Sequence, residues 1–198
     1  MKKICFILLA CVLSLGAGAQ TAKQILDKTA AVVGRKGGAS ANFTIASGKD
    51  VNTSGTVAIK GKKFFAATPE AKVWFDGKTQ WTYMKSTNEV NVSNPTQSQQ
   101  MSMNPYTFIN IYKTGYNMTA KNVGAGYEVH LVAQNQKRTV QEMYITVSRT
   151  YQPTKVRMRQ GKSWTNISIS NFQAKNQSDA TFRFPSKDFV TAEVIDLR

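Results

Sequence analysis

The 198 residues carry 26 Lys and Arg against 11 Asp and Glu, a formal charge of +15, with a single His and two Cys. Such a surplus attracts polyanions, whether anionic lipid headgroups or acidic partners. So small a supply of His and Cys excludes thiolate metal centres and most nucleophilic chemistry.

In chain order, Lys2 and Lys3 form a basic start, Ile4 to Leu15 an apolar run and Ala17-Gly18-Ala19 a small-residue exit. This is the three-part layout of a secretory signal peptide, with cleavage after Ala19. The apolar run is shorter than the ~20 residues of a bilayer span. Leu8-Leu9-Ala10-Cys11 also fits a lipobox, the alternative that makes Cys11 a lipidation site and leaves Val12 to Leu15 on the mature chain. Loss of residues 1–19 removes Cys5, Cys11, Lys2 and Lys3, so residues 20–198 have no disulfide and a formal charge of +13. They are expected to form one exported, monomeric, periplasmic domain held by burial alone. Its positive charges are scattered (Lys60, Lys62, Lys63; Lys137, Arg138; Lys155, Arg157, Arg159). Nucleic acid is not an expected partner; transient contact with a membrane surface is.

Thr21 to Val33 is the first predicted helix, since Ile25, Leu26, Thr29, Val32 and Val33 share one stripe and Gly34 ends it. A second begins at Asn104-Pro105, where Asn caps and Pro suits the first turn; Phe108, Ile109 and Tyr112 share a face and Gly115 closes it. The rest alternates with period two. Predicted strands cover 40–47, 54–60, 63–68, 72–75, 79–85, 89–92, 116–122, 127–134, 141–148, 155–159 and 164–172, followed by short pieces from 181 to 195. Asp76-Gly77, between aromatic runs, reads as a type I′ hairpin turn. The fold class is mainly β with few helices (α+β), an antiparallel meander curved into a barrel or half-barrel.

Val57 and Ile59, Val90 and Val92, Val129 and Leu131, Met143 and Ile145, and Val156 and Met158 are expected on one apolar face. Thr56, Lys60, Asn91, Glu128, Glu142, Lys155 and Arg157 fall on the other, the usual arrangement of an antiparallel sheet wet on one side. An outer-membrane barrel would turn its apolar band to lipid, and here the outward positions are charged. His130 alternates with Glu128 as a surface residue. No nucleophile elbow, metal-ligand set, phosphate loop or inward carboxylate pair accompanies it, so no enzyme, cofactor or metal is expected.

Apolar lining with adaptable side chains is what the chain does offer. A long meander closes on more volume than side chains fill, and Met adapts to changing shapes. The candidate ligand-binding residues are Phe43, Phe65, Trp74, Trp81, Tyr83, Met101, Phe108 and Ile109. Val57, Ile59, Val90, Val92, Val129, Leu131, Ile145 and Met158 join them from the apolar strand face. The competing reading is a core filled by these same residues.

Several pieces in order also resemble the periplasmic outer-membrane lipoprotein carrier family, LolA. They are the helix Thr21–Val33, Gly55-Thr-Val-Ala-Ile59, Phe64-Phe65, Phe75-Asp-Gly-Lys-Thr-Gln-Trp-Thr-Tyr83, Glu89-Val-Asn-Val92, the Asn104-Pro105 helix, and Phe182-Arg-Phe184-Pro185 leading to Val194-Ile195. The resemblance implies an unclosed antiparallel β-barrel whose concave apolar face is covered by an α-helical lid. It implies a carrier that takes lipoprotein acyl chains from an inner-membrane releasing transporter to an outer-membrane acceptor. Where the family pattern often has a lid-gating Arg-Pro, this chain has Lys60-Gly61-Lys62-Lys63. Lys60, Lys62 and Lys63 are the gating candidates, and Lys lacks the planar fork of Arg. Two alternatives stand beside the carrier: a binding protein for another lipid or hydrophobic ligand, and an interaction protein docking acidic partners through its basic surface.

Overall fold

In the computed structural model the structure describes residues 20–47, 51–96, 99 and 110–198. The expected signal peptide with Cys5 and Cys11, the start of the second predicted helix at Asn104-Pro105, and Met101, Phe108 and Ile109 lie outside the described residues.

Helix α1 spans Ala22–Val33. Thr21 Oγ1 accepts from the Gln24 N–H at 3.2 Å while Gln24 Oε1 accepts from the Thr21 N–H at 3.0 Å. This reciprocal cap satisfies two N–H groups that the first turn leaves orphaned. The Gly34 N–H closes the other end on the Ala30 carbonyl at 2.8 Å. The stripe Ile25, Leu26, Thr29 and Val33 is buried, as its spacing predicts. Of the second predicted helix, the described part is a single 3₁₀ turn, Ile111–Lys113.

Twelve strands follow the alternating segments closely: β1 Ala39–Ser47, β2 Val51–Lys60, β3 Lys63–Ala67, β4 Ala71–Phe75, β5 Gln80–Met84, β6 Glu89–Ser93, β7 Tyr116–Val123, β8 Gly126–Ala133, β9 Glu142–Ser148, β10 Pro153–Gln160, β11 Ser163–Gln173 and β12 Glu193–Asp196. They form one sheet in the order β12-β6-β5-β4-β3-β2-β1-β11-β10-β9-β8-β7. Two hairpin meanders, β1 to β6 and β7 to β11, are sewn together where β11 returns to β1, with Ile45 opposite Ile167 and Phe43 opposite Ile169. The end strands β12 and β7 are not neighbours, so the barrel stays open. All pairings are antiparallel except that of β12, which lies parallel to β6.

The β4–β5 turn differs from the type I′ expectation. Phe75 opposes Gln80, so the loop has four residues. Asp76 Oδ1 accepts from the N–H groups of Lys78 and Thr79 at 2.9 and 2.8 Å. Only Gly77, at φ +104°, has the positive angle that type I′ needs at both central positions. The carboxylate, rather than a second left-handed residue, turns the chain.

Register sorts the apolar residues onto two faces. On the concave face, Ala22, Ile25 and Leu26 of α1 rest on Tyr112, Tyr116, Val129, Leu131 and Met143, forming one core. Val33, Ala39, Ile59, Phe64 and Phe75 form a second. The expectation that the other face is polar holds across β8 to β10 and fails across β3 to β6. Phe65 opposes Trp74, Trp74 opposes Trp81, Trp81 opposes Val92 and Tyr83 opposes Val90. All six therefore project from the convex side, opposite to Val57 and Ile59. The C-terminal segment explains this second apolar face. After 3₁₀ turns at Asp179–Phe182 and Ser186–Asp188 it crosses β4 and β5 before pairing with β6. Phe184 and Phe189 meet Trp74 edge-on at 5.4 and 5.5 Å, and Phe189 meets Tyr83 at 4.7 Å.

Candidate functional site

Between the two concave cores lies an apolar cavity of about 360 Å³. Its roof is Leu26, Thr29 and Val33 of α1. Its walls are Ala39, Ala41, Phe43 and Ile45 of β1, Val57, Ile59 and Ala66 of β2 and β3, and Met143, Ile145, Val156, Met158, Ile167, Ile169 and Phe172 of β9 to β11. Protein interiors hold few voids larger than a water molecule, while ligand pockets begin near 300 Å³. Ala39, Ala41 and Ala66 contribute only methyl groups to these walls, which leaves room that larger side chains would occupy. Gly55, opposite Phe43, makes room for the Phe43 ring rather than for the cavity. A Cβ there would stand 2.8 Å from the Phe43 ring and 2.0 Å from the Ala67 carbonyl oxygen. Polar lining is confined to Thr29, Ser40, Asn42 and Thr165. The Thr29 hydroxyl is turned away, donating to the Ile25 carbonyl at 3.0 Å. Such a chamber has nothing to ionise and few polar groups in its lining; it suits flexible hydrocarbon.

Of the residues named from sequence, Phe43, Val57, Ile59, Ile145 and Met158 come together here. Val129 and Leu131, fully buried, are packed beneath α1 and do not line the space. Phe65, Trp74, Trp81, Tyr83, Val90 and Val92 lie on the opposite face of the sheet. Three of them, Phe65, Trp74 and Tyr83, line a different, more open groove of about 650 Å³ under the C-terminal segment. Ring size singles these residues out in the sequence, yet rings occur on both faces of β3 to β5. Sequence reasoning missed the alanines and the β11 isoleucines. The period-two run Thr165, Ile167, Ile169 was the available signal.

The sequence model for the family described as outer membrane lipoprotein carrier protein LolA matches residues 13–162. The chain belongs to the LolA family. The match takes in α1 and β1 to β10 and ends before β11. Among solved structures, an uncharacterized conserved protein from Thermus thermophilus is similar in fold, with a TM-score of 0.61 at 15% identity over 89% of this chain and 99% of that one. A LolA superfamily protein from Nitrosomonas europaea gives 0.46 at 13% identity, over 85% and 100% of the two chains. LprF from Mycobacterium bovis gives 0.47 at 10% identity, over 83% and 96%. No curated protein matches the sequence.

In this LolA-family chain the β2–β3 hairpin holds Lys60, Lys62 and Lys63. Lys60 and Lys63 both reach Asp179, at 3.0 and 3.1 Å, and Lys60 also donates to the Gln177 carbonyl at 3.1 Å. Hydrogen bonds from these two ammonium groups hold the Asp179 carboxyl below its ordinary range. Their contacts thus fasten the C-terminal segment to the convex side. Lys62 sits exposed in the hairpin turn.

His130 faces outward, its ring stacked on Tyr144 at 4.2 Å and its Nε2 2.9 Å from Glu142 Oε1. Glu142 also accepts from the Tyr144 hydroxyl at 3.0 Å and Arg159 Nε at 3.2 Å. Burial pushes the Glu142 carboxyl up, but these three donors outweigh it and keep it below the usual range. Three partners thus meet one carboxylate, His130 and Tyr144 at Oε1 and Arg159 at Oε2.

Proposed function

We infer that the protein is a carrier, not a catalyst: it binds the acyl chains of lipoproteins in the concave cavity and shuttles them through the periplasm. The reading rests on one observation, an apolar chamber roofed by a single helix and walled by an open sheet. Membership of the LolA family supports it. An inner-membrane releasing transporter supplies the cargo, and an outer-membrane acceptor receives it.

The physics of such a task suits this chamber. Each methylene hidden from water contributes roughly 0.8 kcal/mol, so eight of them are worth about 6 kcal/mol. That is enough to draw an acyl chain out of water, while a lining with few polar groups to anchor it lets it leave. The sheet does not close around the chamber, so widening it separates α1 from β1 to β3 without breaking strand pairs.

Pull-down with a triacylated lipoprotein peptide tests this, alongside mass spectrometry of organic extracts from natively purified protein. Retained peptide and acylated species are the expected results. Retention of a non-acylated lipid alone would make the cargo another hydrophobic ligand; loss of both would favour a protein that docks acidic partners.

A further inference from the structure

The convex groove has a chemistry of its own, distinct from that of the concave cavity. Its floor is aromatic: Trp74 and Tyr83 rise from the sheet, and Phe189 leans over both. Its rim carries Lys72, Lys85 and Arg183 against one acid, Asp188. Among the described residues none of these three cations has a carboxylate within 4.0 Å. Asp188 therefore forms no ion pair with them, and the rim carries three positive charges against one negative. Lys72 is instead held over the Phe189 ring, 5.5 Å from its centroid, which positions its charge at the mouth of the groove. One layer of sheet separates this site from the cavity, because Phe65 and Trp74 point into the groove while Ala66 points the other way.

We propose that this groove is a second binding site, for a small anionic amphiphile that joins a carboxylate, sulfonate or phosphate to a flat, ring-sized apolar body. The volume, about 650 Å³, falls in the range of small-ligand sites. The ring body lies against Trp74, Tyr83 and Phe189, where aromatic edges and faces are both on offer. The anion meets the three unpaired cations, of which Arg183 presents a planar fork to two oxygens at once. The acyl chamber has no charge to receive such a head, so the two sites discriminate between ligands.

Naphthoate and its neutral amide are the probes, followed by titration calorimetry on the whole protein. Naphthoate is expected to bind one-to-one, at least tenfold tighter than the amide, and more weakly as salt is added. The double variant Lys72→Glu/Lys85→Glu changes two exposed side chains and leaves the fold intact by circular dichroism; it lowers naphthoate affinity at least tenfold. Ala66→Ile, which occupies the concave cavity, leaves naphthoate binding unchanged. The proposal is overturned by absence of binding at millimolar naphthoate, by equal affinity for the amide, or by affinity that tracks Ala66→Ile instead of the lysines. Binding of an acidic Trp-containing peptide without binding of naphthoate overturns it too, in favour of a protein partner.

Discussion

Replacing Ala66 by Ile adds three carbons to a wall of the concave cavity, beside Val57 and opposite Val73. If the space is a packing defect, filling it changes stability alone; if it holds an acyl chain, the new side chain and the ligand compete. Burying three more carbons is worth at most ~2.4 kcal/mol, and cavity filling in practice yields roughly 0.5–2 kcal/mol. The variant should therefore unfold at higher denaturant with an unchanged denaturant slope. Displacing three methylenes of ligand costs about the same ~2.4 kcal/mol, roughly a fiftyfold rise in Kd for a fluorescent fatty-acyl probe. Denaturant titration and probe displacement on the same samples read both quantities. Raised stability with unaltered probe affinity would refute the reasoning, because the acyl chain would then lie elsewhere.

Ile167→Glu, which aims a carboxylate into the chamber, should abolish retention of an acylated peptide in pull-down. Trp81→Glu lies on the far face and should leave retention intact while disturbing the stack on Phe184, 6.5 Å away. Asp179→Asn should speed amide hydrogen exchange across residues 177–198 by releasing Lys60 and Lys63. Because the Asp179 carboxyl is held below its ordinary 3.8, its anchoring is complete above that pH and is lost as pH falls through the lowered value. Exchange in wild type should accelerate there and in Asp179→Asn should not. Glu142→Gln should lower stability at neutral pH by about 1–2 kcal/mol, the scale of partly exposed charge-assisted hydrogen bonds. It should also let the Tyr144 hydroxyl, raised chiefly by its bond to Glu142, titrate nearer its ordinary value in an ultraviolet pH titration. Acid titration of stability should show a weaker fall below pH 4.5 in the variant, since the depressed Glu142 stabilises only when ionised.

Local signals carried most of the architecture. Helix α1 is written in a cap, a stripe and a terminal Gly, all within fourteen residues. Strand limits follow period-two alternation and hairpin turns, which are also local. The face assignment of β3 to β6 is not local. Phe64-Phe65 and Trp74-Phe75 place a ring on each side of the sheet, so alternation cannot decide which ring meets α1. The decision comes from Phe184 and Phe189, more than a hundred residues away, which supply the convex face with its own cover. The parallel pairing of β12 with β6 belongs to the same long-range event. The cavity was legible in outline, through Phe43, Val57, Ile59, Ile145 and Met158. Its volume was not, because it depends on alanines whose significance is the space they leave. The Asp76 turn departs from expectation for a smaller reason: the side chain's two hydrogen bonds stabilise a longer loop than Asp-Gly alone suggests.

Photo-crosslinking locates the cargo most directly. A triacylated peptide bearing a photoactivatable group near the middle of an acyl chain is bound, irradiated, and the attachment sites are mapped by peptide mass spectrometry. Attachment should fall on Ile45, Val57, Ile167 and their neighbours on the concave face. Attachment confined to Phe65, Trp74 or Tyr83 on the convex face, or none above an unbound control, would contradict a carrier that shelters acyl chains beneath α1.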